Sequence, residues 1–346
     1  MTLAVVCAGA GWVTRERHLP ALKADPRVRV LGVVDKHLDR ARALSATFNL
    51  PHFGSSLDEP WTADARCLTI GTPPMAHADL VRAALEHGWH CLCEKPFIFP
   101  LDDAAALVEA AEGSGLVFGV VHNFQFSRSG ARLFELIESG KLGSIEAVYA
   151  FQLSNPSRRL PTWYRRLPGG LFVDEAPHLL YLLYRLLGRL EPRMVDARLA
   201  GGEIRDLGVT FEHESIWASL SMGFNASVSE WQLLVVGERG VAALDLFRDL
   251  LVVVPNDGSH RAREILRTSA AMVGRHAAGF ASSGARLVAR RLLYGNDEVI
   301  RRFVDAVEGD ADRLRWLSAE DGCVVVSCIE DILRRAGIDP QARSLS

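Results

Sequence analysis

Three groups of residues in this chain have types and spacings suited to chemistry. The first is Gly9-Ala10-Gly11, which follows the apolar run Leu3–Ala8. Two glycines there let the backbone turn tightly and let a diphosphate approach the main chain, where helix N-terminal amides hold its charge. Gly9, Ala10, Gly11, Trp12 and Val13 are therefore candidate dinucleotide contacts, although a plain structural turn has the same composition. A third glycine at the usual spacing would ease helix–strand packing, but that position is Thr14. Asp35 ends a second apolar run, 24 residues beyond Gly11. A carboxylate there suits a ribose 2′-hydroxyl and repels a 2′-phosphate, which favours NAD. Lys36, His37 and Arg40 could neutralise such a phosphate, so NADP stays open, and Asp35 also reads as a surface turn residue. Gly71-Thr72-Pro73-Pro74 follows a third apolar run, with His77 at the next helix start. Thr72, Pro73 and His77 join the candidate cofactor contacts, because ligands bind outside the carboxyl ends of parallel strands. A loop stiffened by proline is the alternative.

The second group is Glu94-Lys95-Pro96, at the end of another apolar run. An unpaired ammonium is costly to bury, so Lys95 and Glu94 are expected at the rim with the glycine turn. Lys95 could there stabilise negative charge developing on a substrate oxygen, and a surface Lys95–Glu94 pair is the structural alternative. The third group is Asp174 and His178, four residues apart and on one face of a predicted helix. An imidazole titrating near neutrality can take a proton from an alcohol, and a nearby carboxylate can orient it. Asp174 is equally suited to capping a helix that begins with Pro177 at its first turn, and His178 to a satisfied place in a core. Upstream, Arg158, Arg159, Trp163, Tyr164, Arg165 and Arg166 crowd one loop-like stretch. Guanidinium groups beside aromatics suit an anionic or nucleotide-linked sugar. Ordinary surface pairs would look the same. Asn123 is a further candidate contact to nicotinamide or substrate.

These residues need elements to hold them. Up to about residue 122 the chain alternates short apolar runs with helical stretches: strands at 3–8, 28–34, 66–70, 89–93 and 117–121, helices at 18–24, 38–48, 76–86 and 102–112. That pattern predicts an α/β fold, a doubly wound parallel sheet whose buried strands read as continuous apolar runs. Beyond it, longer alternating runs at 145–153, 193–199, 207–212, 215–224 and 228–236, and a hairpin of 241–246 with 250–254, predict a large, open, mostly antiparallel sheet. Helices are expected at 127–139, 179–187, 298–307 and 319–336. The expected domains are 1–122 for the dinucleotide and 123–346 for substrate and oligomerisation, with the last helix free to pack on either. The stretch 261–291 carries seven arginines against Glu264 alone and predicts one or two basic amphipathic helices. A solvated face or oligomer contact suits it better than an anionic membrane surface.

Composition limits the partners. Across 346 residues, 39 Lys and Arg nearly balance 42 Asp and Glu, which leaves no electrostatic footprint for bulk nucleic-acid binding. Apolar runs stop well short of the roughly 18 residues that a membrane span needs. The first residues lack the basic start of a signal peptide, and the six cysteines lie in apolar runs without zinc spacing, so a reducing cytoplasm and no metal are expected.

Taken together, the chain resembles the Gfo/Idh/MocA oxidoreductase family. The resemblance rests on Gly9-Ala10-Gly11 with His18-Leu19-Pro20-Ala21-Leu22, Thr72-Pro73-Pro74 with His77, Glu94-Lys95-Pro96, and Gly169–His178, in the family's order. The turn Gly237-Glu238-Arg239-Gly240 also fits, and the likeness covers nearly the whole chain. It implies an N-terminal Rossmann domain, a nicotinamide cofactor, a sugar, cyclitol or related polyol substrate, and a homodimer or homotetramer. It implies catalytic roles for Lys95, Asp174 and His178, cofactor contact for Glu94 and Lys95, and a cis peptide at Pro96. A non-catalytic regulator of this fold and an NAD-dependent glycosidase are the alternatives within it. Ala176 replaces a family glycine, Pro168 precedes the glycine pair, and Tyr181 stands where inositol-type members carry an acid. The last change points to a more apolar or aromatic substrate moiety.

Overall fold

The computed structural model describes residues 2–256, 258–259, 261–289 and 292–341. Arg290 and Arg291 of the basic segment lie outside the described residues. The chain divides into two units, Met1–Asn123 with Gly295–Ser327, and Phe124–Tyr294 with Cys328–Ser346.

In the first unit, β1 (Leu3–Ala8) leads through a π-helical turn at Thr14–His18 into α1 (Leu19–Ala24). Then come β2 (Val28–Val34), α2 (Leu38–Phe48), β3 (His52–Gly54), β4 (Cys67–Ile70), α3 (His77–Glu86), β5 (His90–Cys93), α4 (Leu101–Gly113) and β6 (Phe118–Val120). All six strands are parallel, in the order β3-β2-β1-β4-β5-β6. The order reverses between β1 and β4, and that is where a doubly wound sheet opens a crevice for ligand. Val5, Val6, Cys7, Cys67, Leu68 and Ile70 of those two strands are all buried, as helices on both faces require. Strand β3 was not anticipated. It has three residues at the sheet edge, two of them exposed, too little apolar sequence to register as a strand.

The second unit carries α5 (Arg128–Glu138), β7 (Ile145–Leu153), α6 (Leu171–Glu175), α7 (Pro177–Leu187), β8 (Pro192–Ala200), β9 (Glu203–Phe211), β10 (Trp217–Gly223), β11 (Glu230–Gly237), β12 (Gly240–Asp245), β13 (Leu250–Pro255) and α8 (Ala262–Val288). Its sheet runs β13-β12-β11-β7-β10-β9-β8 and is antiparallel except for the β7–β10 pair. Side chains alternate along each strand. Val148, Ala150, Leu220, Leu233 and Val235 are buried with Leu179, Leu182 and Leu183 of α7, while Tyr149, Phe151 and Trp217 stay exposed. Strand β9 begins earlier than expected, because the Gly201-Gly202 turn pairs Ala200 directly with Glu203. The β11–β12 turn needs its glycines: a Cβ at Gly237 would meet the Leu142 carbonyl oxygen at 2.4 Å. The basic segment forms one helix, α8, and lies along β13, with the Ser283 hydroxyl donating to the Asp249 carbonyl at 2.9 Å.

Two helices close the chain, α9 (Asn296–Val307) and α10 (Ala319–Arg335). Residues 295–327 belong to the first unit, not to the 123–346 span expected for the second. The reason lies in contacts that sequence spacing does not reveal. Arg27 pairs with Asp305 at 2.7 Å and Glu308 at 2.9 Å, and the Val120 amide donates to the Leu317 carbonyl at 2.7 Å.

Candidate active site

The first unit gathers the glycine turn, the Thr72 loop and the Glu94-Lys95-Pro96 segment at the carboxyl ends of β1, β4 and β5. Gly9 has φ +93°, and a Cβ there would lie 2.8 Å from the Gly71 carbonyl oxygen and 2.9 Å from Thr72 Cγ2. No side chain can be accommodated without displacing the neighbouring loop. Asp35 holds this turn from β2: one carboxylate oxygen accepts from the Ala10 amide and the other from the His37 amide, each at 2.8 Å. The Thr14 departure has a local answer. Thr14 is fully buried, and a Cβ on Gly71 would meet Thr14 Oγ1 at 2.4 Å. The helix–strand approach that a third glycine would permit is instead permitted by Gly71.

His77 and Glu94, expected as cofactor contacts, have other work. His77 is fully buried, with Nδ1 3.0 Å from the Pro96 carbonyl oxygen and Nε2 3.0 Å from that of Thr72. Burial lowers its pKa, so the neutral ring is favoured. The neutral ring has one N–H, so it donates to one of these two carbonyl oxygens at a time, between the loops after β4 and β5, and that is a positioning task. The Glu94 side chain is buried. Its Oε1 meets His18 Nε2 at 2.9 Å and its Oε2 accepts from the Lys95 amide at 3.1 Å. The Lys95–Pro96 peptide is cis, as the resemblance implied, and so is Phe99–Pro100.

The second unit holds Asp174 and His178. Asp174 is not a helix cap: Gly170 precedes α6 and Ala176 precedes α7. Ala176 has helical dihedrals, φ −56° and ψ −34°, so the chain winds on from Asp174 past Pro177 to His178. Both side chains are nearly buried. His178 Nδ1 lies 3.2 Å from Tyr181 Oη, and that oxygen accepts from the Phe124 amide at 3.0 Å. The ring sits edge-on to Phe124, centroids 4.9 Å apart, and 5.1 Å from the Trp231 ring. The Nδ1–Tyr181 contact fixes the ring's orientation, and the tautomer decides which of the two atoms donates. Tyr181 is buried in α7 as a partner of His178.

The arginine-rich stretch divides. Arg158 pairs with the buried carboxylate of Glu175, to which Ser154 Oγ donates at 2.9 Å and the Gln152 amide also donates. Arg165 Nε donates to Tyr164 Oη at 3.3 Å. Arg159 and Arg166 are exposed, Trp163 and Tyr164 half-buried. Glu175, Gln152 and Ser154 carried no signal in the sequence, where a Glu beside Asp174 reads as helix surface.

Residues 3–122 match the family described as "Oxidoreductase family, NAD-binding Rossmann fold", and residues 131–243 match the GFO/IDH/MocA C-terminal domain. The chain belongs to the Gfo/Idh/MocA oxidoreductase family. Its curated relatives include the dTDP-3,4-didehydro-2,6-dideoxy-alpha-D-glucose 3-reductase of Streptomyces violaceoruber, 29% identical over 70% of this chain and 72% of that protein. Among solved structures, GenD2 from gentamicin A biosynthesis, in complex with NAD, superposes with TM-score 0.76 at 21% identity, covering 97% and 94% of the two chains. UDP-N-acetylglucosamine 3-dehydrogenase GnnA of Acidithiobacillus ferrooxidans superposes with TM-score 0.73 at 18% identity, covering 96% and 97%. The enzyme is thus an NAD-binding oxidoreductase, and its N-terminal residues fit that cofactor. The Gly9 cradle has no room for a Cβ, Gly11 is exposed, and the buried Thr72 Oγ1 beside Gly9 has no hydrogen-bond partner among the described residues. Backbone amides of residues 11–13 would hold the diphosphate, with Asp35 at the ribose. Among the described residues no group of three or more His, Cys, Asp or Glu side chains could hold a metal, and no helix is long and apolar enough to cross a membrane.

Proposed function

We propose that this oxidoreductase interconverts a carbinol and a keto carbon on a sugar, cyclitol or related polyol. Bound nicotinamide supplies the two-electron acceptor or donor for that carbon. His178 Nε2 takes the hydroxyl proton in oxidation and returns it in reduction. Tyr181 fixes the ring, and Asp174, one helical turn before His178, orients the ring or the substrate hydroxyl. The Lys95 ammonium polarises the reacting oxygen, an electrostatic contribution of the kind that commonly dominates such steps. The observation that carries this reading is the His178 imidazole. It is enclosed by Phe124 and Trp231, and its Nδ1 lies 3.2 Å from Tyr181 Oη, which fixes the orientation of a ring able to exchange a proton. General acid–base groups placed in this way contribute about 10²- to 10⁴-fold.

The relatives named for sugar-nucleotide reduction and oxidation support the substrate class, as does the retention of Lys95, Asp174 and His178 together. The test is to incubate the protein with NAD and, separately, NADP, with a panel of neutral sugars, cyclitols and nucleotide-linked sugars, and to follow absorbance at the reduced nicotinamide. Net accumulation of NADH is expected, and Lys95→Met is expected to lower kcat about 100-fold or more. Full turnover by Lys95→Met would remove Lys95 from the mechanism, and hydrolysis of a glycoside without net NADH would replace the dehydrogenase reading.

A further inference from the structure

Beside Asp174 lies a buried polar cluster that the catalytic reading does not use. Glu175 follows Asp174 in α6, and its side chain is 4% exposed. Arg158 is its ion-pair partner, through the same Nη2 that lies 3.4 Å from Ser154 Oγ. Ser154 Oγ and the Gln152 amide also donate to Glu175; Gln152 lies in β7 and Ser154 just beyond it, and both are buried. Arg158 Nε is buried with no hydrogen-bond partner among the described residues, so the guanidinium is fixed mainly through Nη2. Asp174 acts electrostatically on the same guanidinium. A buried carboxylate deprived of its partner is strongly unfavourable, so Arg158 is not available to a substrate anion.

We propose that Glu175 sets the substrate charge accepted beside Asp174 and His178. It holds Arg158 as an internal counter-ion, which reserves this position for uncharged, hydroxyl-bearing rings and excludes carboxylate or phosphate substituents. The proposal deepens the reading of Asp174 and His178 as substrate-facing residues and rests on it. Arg159 and Arg166, exposed on the same loop, remain available to an anionic group elsewhere on the substrate, such as the diphosphate of a sugar nucleotide.

The probe is inorganic phosphate, titrated calorimetrically into protein saturated with NADH so that the glycine turn is already filled. Glu175→Gln keeps the shape and removes the charge. It is expected to gain phosphate affinity by about tenfold or more, the scale of a charge-assisted hydrogen bond. The double variant Glu175→Gln, Arg158→Gln is expected to lose that gain. Arg158→Lys, which keeps the ion pair, is expected to leave the wild-type phosphate response unchanged. A folded Glu175→Gln protein with no gain would overturn the proposal. If Glu175→Gln does not fold, Arg158→Lys still decides: a several-fold loss of phosphate affinity would mean that Arg158 already serves anions. NADH formation from neutral polyols is read separately. Its absence would count against the dehydrogenase reading, while the phosphate comparison would stand or fall alone.

Discussion

The two units specify their functional residues by different means. In the first, the main chain does the work. Gly9 at φ +93° is pressed against Gly71, and Asp35 takes the amides of Ala10 and His37. In the second, side chains hold side chains: Tyr181 meets His178, and Arg158, Gln152 and Ser154 surround Glu175. Backbone sites tolerate almost no change at a few glycines but leave the other side chains free. Side-chain networks spread the constraint over many residues, each open to graded change. That division matches the tasks. A dinucleotide diphosphate is the same in every reaction, whereas the substrate is what differs between relatives of one fold.

Substitutions on either side should therefore fail differently. The largest effect on binding is expected from Gly9→Val. A side chain at that dihedral collides with the Gly71 carbonyl, a strain of about 1–3 kcal/mol that falls on the cofactor turn. NADH affinity, measured by nicotinamide fluorescence, should drop by tenfold or more. Unchanged affinity would show that the turn is not the cofactor cradle. Tyr181→Phe should have an intermediate effect. It removes the oxygen at His178 Nδ1 and leaves the Phe124 amide without its acceptor, so kcat should fall about tenfold. The pH–rate profile should move as well, whereas loss of packing alone would lower the rate at every pH equally.

The smallest effect concerns stability. His122 is buried in the first unit, and burial pushes its pKa down to about 3. In the unfolded chain the ring protonates near its ordinary value of about 6.5. Between those values the unfolded state binds the extra proton, so the stability present above pH 6.5 is lost as pH falls toward 3. The slope is about 1.4 kcal/mol per pH unit for one group. His77 is shifted in the same direction and adds to it. Melting temperatures of His122→Gln should fall less steeply with acid than those of the wild type. Parallel curves would place the acid sensitivity elsewhere.

The sequence was most legible where one residue type answers one physical demand. The parallel strands around Val5, Leu68 and Leu92 are buried on both faces and therefore apolar throughout, so their positions could be read directly. The glycine turn, where a Cβ at Gly9 would meet the Gly71 carbonyl oxygen, was visible for the same reason. Pairings between distant residues were not. Nothing in the sequence joins Arg27 to Asp305, 278 positions away, so the place of α9 in the first unit was not foreseen, whereas the last helix was left free to pack on either unit. Nothing joins Arg158 to Glu175 either, and the arginine read as an anion receptor is half-buried and paired with that carboxylate. The position of Tyr181 in a leucine-rich helix shows which residue it replaces, not which way it points. His77 was credited with the cofactor because it is next to a ligand-bearing loop, although both its ring nitrogens face carbonyl oxygens.

The separation of tasks is tested most directly by His178→Asn, with two quantities read on one preparation: NADH affinity by fluorescence titration, and the rate of NADH formation with the best substrate from the panel. The expected result is affinity within about twofold of wild type and a rate lowered about 100-fold or more. Full turnover by the variant, or an equal loss of binding and rate, would contradict the assignment of proton transfer to His178.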